Sequence, residues 1–160
     1  MERINRILAN ESFISCLRRI DVCEKERIFC RHNFSHLMDV ARIAALLNEE
    51  ENKGVSKELI YATALLHDCG RFMQYEEGIE HEKAGYDLAG PILDACGFIE
   101  NEKDSILYAI RTHRDAQAAA QKPLADLIYR ADKKSRMCMW CDASKECHKK
   151  SNERNQTITY

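Results

Sequence analysis

A chain of 160 residues has the size of one ordinary domain, and 45% hydrophobic with 31% charged residues is enough for a buried core, which excludes global disorder. The formal net charge of −2 provides no overall attraction to nucleic acid or to an anionic membrane. Because the chain begins with charged residues and no stretch approaches about 18 consecutive apolar residues, we expect a cytoplasmic protein without a membrane span.

The apolar residues of the first third of the chain recur at helical spacing. This periodicity predicts a first helix over residues 4–17. Asp21 and Glu24 have the spacing of an N-cap and its third helical position, so a second helix is predicted to begin there. It continues to Leu47, and the pattern allows one break between residues 31 and 35.

Glycine and proline mark the boundaries of the central helices. Ser56 is the predicted N-cap of an apolar helix that ends at Gly70. A further helix is predicted over residues 84–96, with a kink or restart at Pro91 and an end at Gly97.

Two more helices complete the predicted architecture. One begins at Asn101 and reaches His113, and Pro123 suits the first position of the last helix. The sequence has no period-2 alternation of any length and no internal repeat at a fixed period. The predicted fold class is therefore all-α, a bundle of about six to seven helices.

The composition changes near the C-terminus. Residues 133–154 contain seven Lys or Arg against three Asp or Glu, together with a group of cysteines. We therefore predict a main domain over residues 1–136, followed by a basic, Cys-rich tail over residues 137–160.

The tail cysteines have the spacing of metal ligands. Cys138 and Cys141 form a C-x2-C pair, and Cys147 follows, so three thiolates with a remote ligand such as Cys23 or Cys30 could hold zinc or an iron–sulfur cluster. A redox pair and a group of reduced, unliganded thiols remain open as alternatives. A disulfide framework is disfavoured, since the chain carries no export signal and has sufficient core.

His67 and Asp68 stand at the end of the apolar segment YATALLHDCGR. Adjacent helical residues point about 100° apart, so this pair cannot pack together on one apolar face. At a helix end, however, an imidazole and a carboxylate can reach one cation from two sides. For the dipeptide alone, a hydrogen-bonded histidine beside a solvated aspartate is the commoner explanation.

Three segments together resemble the HD-domain superfamily of metal-dependent phosphohydrolases. They are SHLMDVARIAALL with His36, ALLHDCGR with the doublet, and LIYRADKKSR with Asp132. The resemblance implies that His36, His67, Asp68 and Asp132 coordinate a divalent metal ion. It also implies the helical bundle of the HD domain.

Two further segments are similar to those of superfamily members that bind two metals. They are IEHEKAGYDLA with His81 and YAIRTHRD with His113. The resemblance then implies a dinuclear centre of one or two divalent transition-metal ions (Fe, Mn, Co, Ni or Zn), bridged by Asp68. The chain departs from the family at Arg71, where Lys is usual, and at Arg114, where some members have a second histidine.

The activity that the resemblance implies is hydrolysis of a phosphomonoester or phosphoanhydride by metal-activated hydroxide, with a nucleotide as the favoured substrate. Asp68 and Asp132 are also candidates to orient water or accept its proton. Arg71, Lys133 and Arg31 are the candidate phosphate-binding cations, and a solvated surface role is the alternative for each. His32, four residues before His36, is a candidate substrate contact or a surface histidine.

Two other functions remain open at this point. Some proteins of similar ligand pattern use a di-iron centre for oxygen-dependent cleavage. A regulatory or nucleic-acid-binding module, with a structural metal and the basic tail as contact surface, is the third reading, although the acidic balance weighs against nucleic acid. A small phosphorylated partner is expected, and an oligomer is compatible with the sequence.

Overall fold

The computed structural model describes residues 1–158, and this part of the chain is helical and contains no strand, which confirms the predicted all-α class. Seven helices have eight residues or more, in line with the expected bundle, and two short helices lie between them. The helices are α1 (Glu2–Ala9), α2 (Glu11–Cys23), α3 (Phe34–Glu50), α4 (Lys57–Leu66), α5 (Arg71–Glu76), α6 (His81–Cys96), α7 (Glu100–Thr112), α8 (Ala116–Ala119) and α9 (Pro123–Lys134).

The predicted first helix is two helices that meet at Asn10. The Asn10 side chain accepts hydrogen bonds from the backbone N–H groups of Ser12 and Phe13, at 3.0 and 3.2 Å, and so caps α2. Ile4 and Ile7 of α1 and Phe13 of α2 are buried. The apolar period continues across the break, which is why the sequence suggests a single helix.

The prediction of a helix start at Asp21 is wrong. Helix α2 continues to Cys23, residues 24–33 form turns and a loop, and α3 begins only after Asn33. Glu24 is not available as a helix-capping residue, because its carboxylate is buried and accepts hydrogen bonds from the backbone and ring of His32. Asn33 is the actual cap, and its Oδ1 accepts the backbone N–H of His36 at 3.1 Å.

The start of α4 and the end of α6 agree with the sequence, whereas α4 ends at Leu66, four residues before the predicted Gly70, and α6 begins at His81, three residues before residue 84. Ser56 precedes α4 and Gly97 ends α6 with φ of 84°. Helix α6 continues through Pro91 rather than restarting there. Helices α5 and α8 were not predicted, because four to six residues are too short to show a period.

Helix α4 is the centre of the bundle. Ala62, Ala64, Leu65 and Leu66 are fully buried, and the helix packs against α3, α7 and α9. Helix α7 also packs on α6 and α9. This arrangement brings the first turns of α3 and α6, and the last turns of α4, α7 and α9, to one end of the bundle.

The residues after α9, here called the C-terminal segment (137–158), consist of short 3₁₀ turns and loops. The Asn155 side chain donates to the carbonyls of Lys133 and Arg136, each at 2.8 Å, and so ties the segment to the end of α9. The division into a domain and a tail stays a prediction. Within residues 1–158, no helix is long and apolar enough to cross a membrane.

Candidate metal centre

All six predicted metal ligands lie at helix ends on the same side of the bundle. His36 lies in the first turn of α3, the His67–Asp68 doublet follows α4, and His81 begins α6. His113 caps the C-terminal end of α7, and Asp132 lies in the last turn of α9. Helix packing therefore gathers residues that are up to 96 positions apart in the sequence.

Two groups of three potential ligands are present in the described part of the chain, and they are these same six residues. The first group is His36, His67 and Asp132, and the second is Asp68, His81 and His113; within each group the ligand atoms lie within 4.8 Å of one another. In the first group, His36 Nε2 is 3.4 Å from Asp132 Oδ1. In the second, the Nε2 atoms of His81 and His113 are 3.1 Å apart.

Asp68 lies between the two groups and turns one oxygen toward each. Its Oδ2 is 3.1 Å from His67 Nε2 and 3.6 Å from His36 Nε2. Its Oδ1 is 3.4 Å from His81 Nε2 and 3.8 Å from His113 Nε2. A carboxylate in this position has the geometry to be shared by two cations.

Backbone carbonyls orient two of the imidazoles. His67 Nδ1 is 2.7 Å from the carbonyl of Ala64, and His113 Nδ1 is 2.7 Å from that of Ile110. Each Nδ1 therefore donates a hydrogen bond and leaves the Nε2 lone pair directed to the centre. His67 Nε2 is buried and has no hydrogen-bond partner, which costs about 1–3 kcal/mol unless a ligand satisfies it. This lone pair fits a metal ion.

The electrostatics of the second ligand group favour the protonation states that metal binding needs. Burial lowers the pKa of His81 to about 3 and that of His113 to about 4, so both are neutral at pH 7. In the first group, burial lowers the pKa of His67, but the charge of Asp68 outweighs burial and raises it, so an ion bound there competes with a proton. Burial opposes ionisation of Asp68, but the nearby imidazoles outweigh it and hold its pKa well below the usual range. The pKa of Asp132 is lowered in the same way, with His36 and Lys133 outweighing burial. Neutral imidazoles and ionised carboxylates are the forms that bind divalent ions.

Comparison with known proteins agrees with this arrangement. The sequence matches the HD-domain family over residues 33–137, a span that includes all six residues. The chain belongs to the HD-domain family. An uncharacterized protein of Clostridium beijerinckii is 42% identical over 160 residues, which are the whole of both chains. No solved structure matches the chain.

In this HD domain, arginines flank both ligand groups. Arg71 Nη1 lies 2.7 Å from His81 Nδ1, beside the second group. Arg136, which the sequence analysis did not single out, has Nη2 at 2.9 Å from His36 Nε2 and 3.7 Å from Asp132 Oδ1. It follows α9 by two residues, but no motif distinguishes it from the other basic residues there.

The two remaining candidate cations differ in position. Lys133 Nζ is 2.6 Å from Asp132 Oδ2 and lines the cavity above the ligands. Arg31 does not reach this cavity. Its guanidinium donates to the carbonyls of Arg27 and Lys25, at 3.2 and 2.9 Å, and lines a neighbouring surface depression. The loop before α3 directs the Arg31 side chain away from the cavity. The backbone carbonyl of Arg31 accepts a hydrogen bond from Arg136, which itself contacts the first ligand group.

His32 is buried and lines the cavity next to His36, with ring centroids 5.9 Å apart. The Glu24 carboxylate contacts its Nδ1 and accepts its backbone N–H, and Tyr75 donates to the same carboxylate at 2.6 Å. Burial lowers the pKa of His32. Sequence reasoning missed the role of Glu24, because the residue precedes His32 by eight positions in an irregular loop.

The cysteines of the tail face the same cavity. Cys138, Cys141 and Cys147 line it, as does Cys30, and none of these thiols is in a disulfide. Their sulfur atoms are not among the described groups of three ligands within 4.8 Å. Their assignment as a second metal or cluster site stays a prediction.

Proposed function

We propose that this HD-domain protein hydrolyses a phosphomonoester or phosphoanhydride bond, with a nucleotide as the favoured substrate, using divalent ions bound at the candidate centre. The position of Asp68, with one carboxylate oxygen facing each histidine group, carries the proposal. His36, His67 and Asp132 would hold one ion, and His81 and His113 a second, with Asp68 shared between them. Bound ions would supply Lewis acidity, neutralise charge on the phosphoryl oxygens and lower the pKa of a water molecule.

The residues around the ligands then bind and orient the phosphate. Arg71 and Arg136 approach the centre from opposite ligand groups, so their guanidinium groups can hold two sides of one phosphoryl group. Lys133 adds a third positive charge beside Asp132. Together these three cations supply a local attraction for an anion that the net charge of the chain does not provide.

His32 is the candidate for a contact with the leaving group. Its Nδ1 faces Glu24, so that carboxylate fixes the ring and leaves Nε2 available to the cavity. A neutral imidazole held in this way can hydrogen-bond to a substrate hydroxyl or hold a proton at Nε2. Asp132 and Asp68 lie among the ligands and can orient the attacking water.

The test combines metal analysis with phosphate release. Protein loaded in turn with Mn, Fe, Co, Ni and Zn is expected to release phosphate from a nucleotide panel. Asp68→Asn is expected to lose at least about 10³-fold in kcat/KM together with bound metal, because both groups lose their shared ligand. Asp39→Asn is the control, since Asp39 lines the same cavity but is exposed and belongs to neither group.

Full activity of Asp68→Asn would reject the proposal. Substrate-dependent oxygen uptake by the iron-loaded protein, without phosphate release, would favour the di-iron alternative instead.

A further inference from the structure

The cavity extends well beyond the ligands. It has a volume of about 500 Å³, within the range of sites for whole organic ligands and far larger than a single phosphate needs. One wall consists of the metal-binding helix ends, and another consists of the C-terminal segment, including Met137, Ser144 and Lys149. A substrate that fills this space therefore contacts the C-terminal segment with the part that lies beyond its transferred phosphate.

Positive charge dominates this second wall. Lys149 and Arg154 line the cavity, and within residues 1–158 neither has a carboxylate within ion-pair distance. Two other cations of the lining are paired with carboxylates: Arg114 contacts Glu82 at 3.3 Å, and Lys133 contacts Asp132. Apart from the ligand aspartates, Asp39 is the acidic side chain among the described lining residues.

The position of Lys149 is fixed by its neighbours. The Arg154 guanidinium donates to the carbonyls of Lys149 and Ser144, at 2.9 and 2.8 Å, so it holds the turn that carries Lys149. Lys149 is half-buried, and its ammonium makes no hydrogen bond to any residue of 1–158. Arg71 and Arg136 contact the ligand groups directly, whereas Lys149 has no contact with any of the six ligands.

The cavity lining also includes apolar side chains. Ile28, Phe29 and Met137 line the cavity, and Phe29 makes an edge contact with the ring of His148, centroid to centroid 6.2 Å. Ile28 and Met137 are 64% and 59% exposed. A cavity lined by both apolar side chains and cations suits a ligand with an organic body and anionic groups.

We infer that the C-terminal segment is part of the substrate site, and that it selects an organic phosphate bearing a second anionic group, a phosphate or carboxylate, bound by Lys149. This inference rests on the proposed function for the identity of the ligand as substrate. A nucleotide with more than one phosphate group satisfies it, and so does a phosphorylated carboxylic acid.

The experiment compares two pairs of matched compounds. Hydrolysis of phenyl phosphate and 4-carboxyphenyl phosphate is measured with the metal-loaded protein, and binding of the corresponding phosphonates is measured by calorimetry. The wild-type protein is expected to favour the carboxylated member of each pair about tenfold, the contribution of one charge-assisted hydrogen bond. Lys149→Gln is expected to remove this preference. Its hydrolysis of phenyl phosphate and its affinity for the unsubstituted phosphonate are expected to stay within about twofold of the wild-type values.

Lys145→Gln is the matched control, because Lys145 lies in the same segment but is exposed and outside the cavity lining. The inference would be overturned if the wild type hydrolysed and bound both members of each pair equally well. It would also be overturned if Lys149→Gln kept the preference for the carboxylated member. Tighter binding of the carboxylated phosphonate by a protein that hydrolyses no substrate would instead reject the proposed function and still support the anion site at Lys149.

Discussion

Asp68 is an unusual carboxylate, because its side chain is buried, with 4% exposure, and four imidazoles surround it. A buried carboxylate is costly unless positive charge or hydrogen bonds compensate it. The neighbouring histidines compensate it in part, and His67 Nε2 remains without a hydrogen bond. The residues thus leave room for cations, which would satisfy both the carboxylate and the imidazole nitrogens.

The two ligand groups predict separable metal losses. His113→Ala is expected to lower occupancy of one ion while the other is retained, because His113 faces only the Oδ1 side of Asp68. His36→Ala should show the complementary loss. Elemental analysis of each variant, with circular dichroism to verify the helices, provides the measurement. Equal loss of both ions in both variants would contradict a two-group centre.

Glu24 predicts a pH dependence of stability. Burial raises its pKa, but the hydrogen bonds from His32 and Tyr75 outweigh that effect and hold it at about 2, against an ordinary 4.5. A lowered pKa contributes stability that is complete above pH 4.5 and is lost as the pH falls toward 2. The free energy of unfolding of the wild type is therefore expected to exceed that of Glu24→Gln by roughly 2 kcal/mol at pH 7. This difference in stability should become smaller below pH 4.5.

Urea unfolding at pH 7 and at several values below 4.5 measures this gap. Glu26→Gln removes an exposed carboxylate two residues away and serves as control. A gap that does not change with pH would show that Glu24 contributes through packing alone.

At the scale of elements, the turn after α4 sets the position of α6. A Cβ at Gly70 would come within 2.3 Å of Gly85 N and 2.5 Å of His81 O, which are backbone atoms that cannot move without α6. The close approach of the two elements therefore needs glycine. It also sets the distance from Asp68 to His81, the first residue of α6.

Gly70→Ala is accordingly expected to destabilise the protein by about 2 kcal/mol or more and to weaken metal binding by the second group. Gly90 lies in α6, and a Cβ added there has nothing within 4 Å, so Gly90→Ala should be neutral or stabilise the protein slightly. Thermal unfolding and metal titration of both variants provide the comparison. A Gly70→Ala protein as stable as Gly90→Ala would show that α6 can shift freely.

At the scale of the whole molecule, five helix ends meet around one buried polar cluster. Ligands from α3, α6, α7 and α9, and from the turn after α4, converge there. An ion bound between them connects elements that are distant in sequence, and it binds the folded chain more strongly than the unfolded one. Metal binding should therefore stabilise the entire bundle.

Saturating metal is expected to raise Tm by roughly 5–10 °C over protein treated with chelator, which corresponds to a ligand at about 100 times its Kd. Differential scanning calorimetry measures the shift. In Asp68→Asn, the same metal should raise Tm by much less. A shift of equal size in that variant would place the stabilising ion elsewhere in the molecule.

The sequence alone determined the all-α class and several helix boundaries after residue 56, and its resemblance to the HD-domain superfamily supplied the six candidate ligands. The helical period is a local property, and the ligands occur at helix ends in a recognisable order. Only the tertiary structure decided that Glu24 pairs with His32 and that Arg136 approaches His36. It also decided that the Arg31 side chain lies outside the cavity and that the C-terminal segment lines it. These features depend on the directions of loops, which are set by the packing of distant helices rather than by any local pattern.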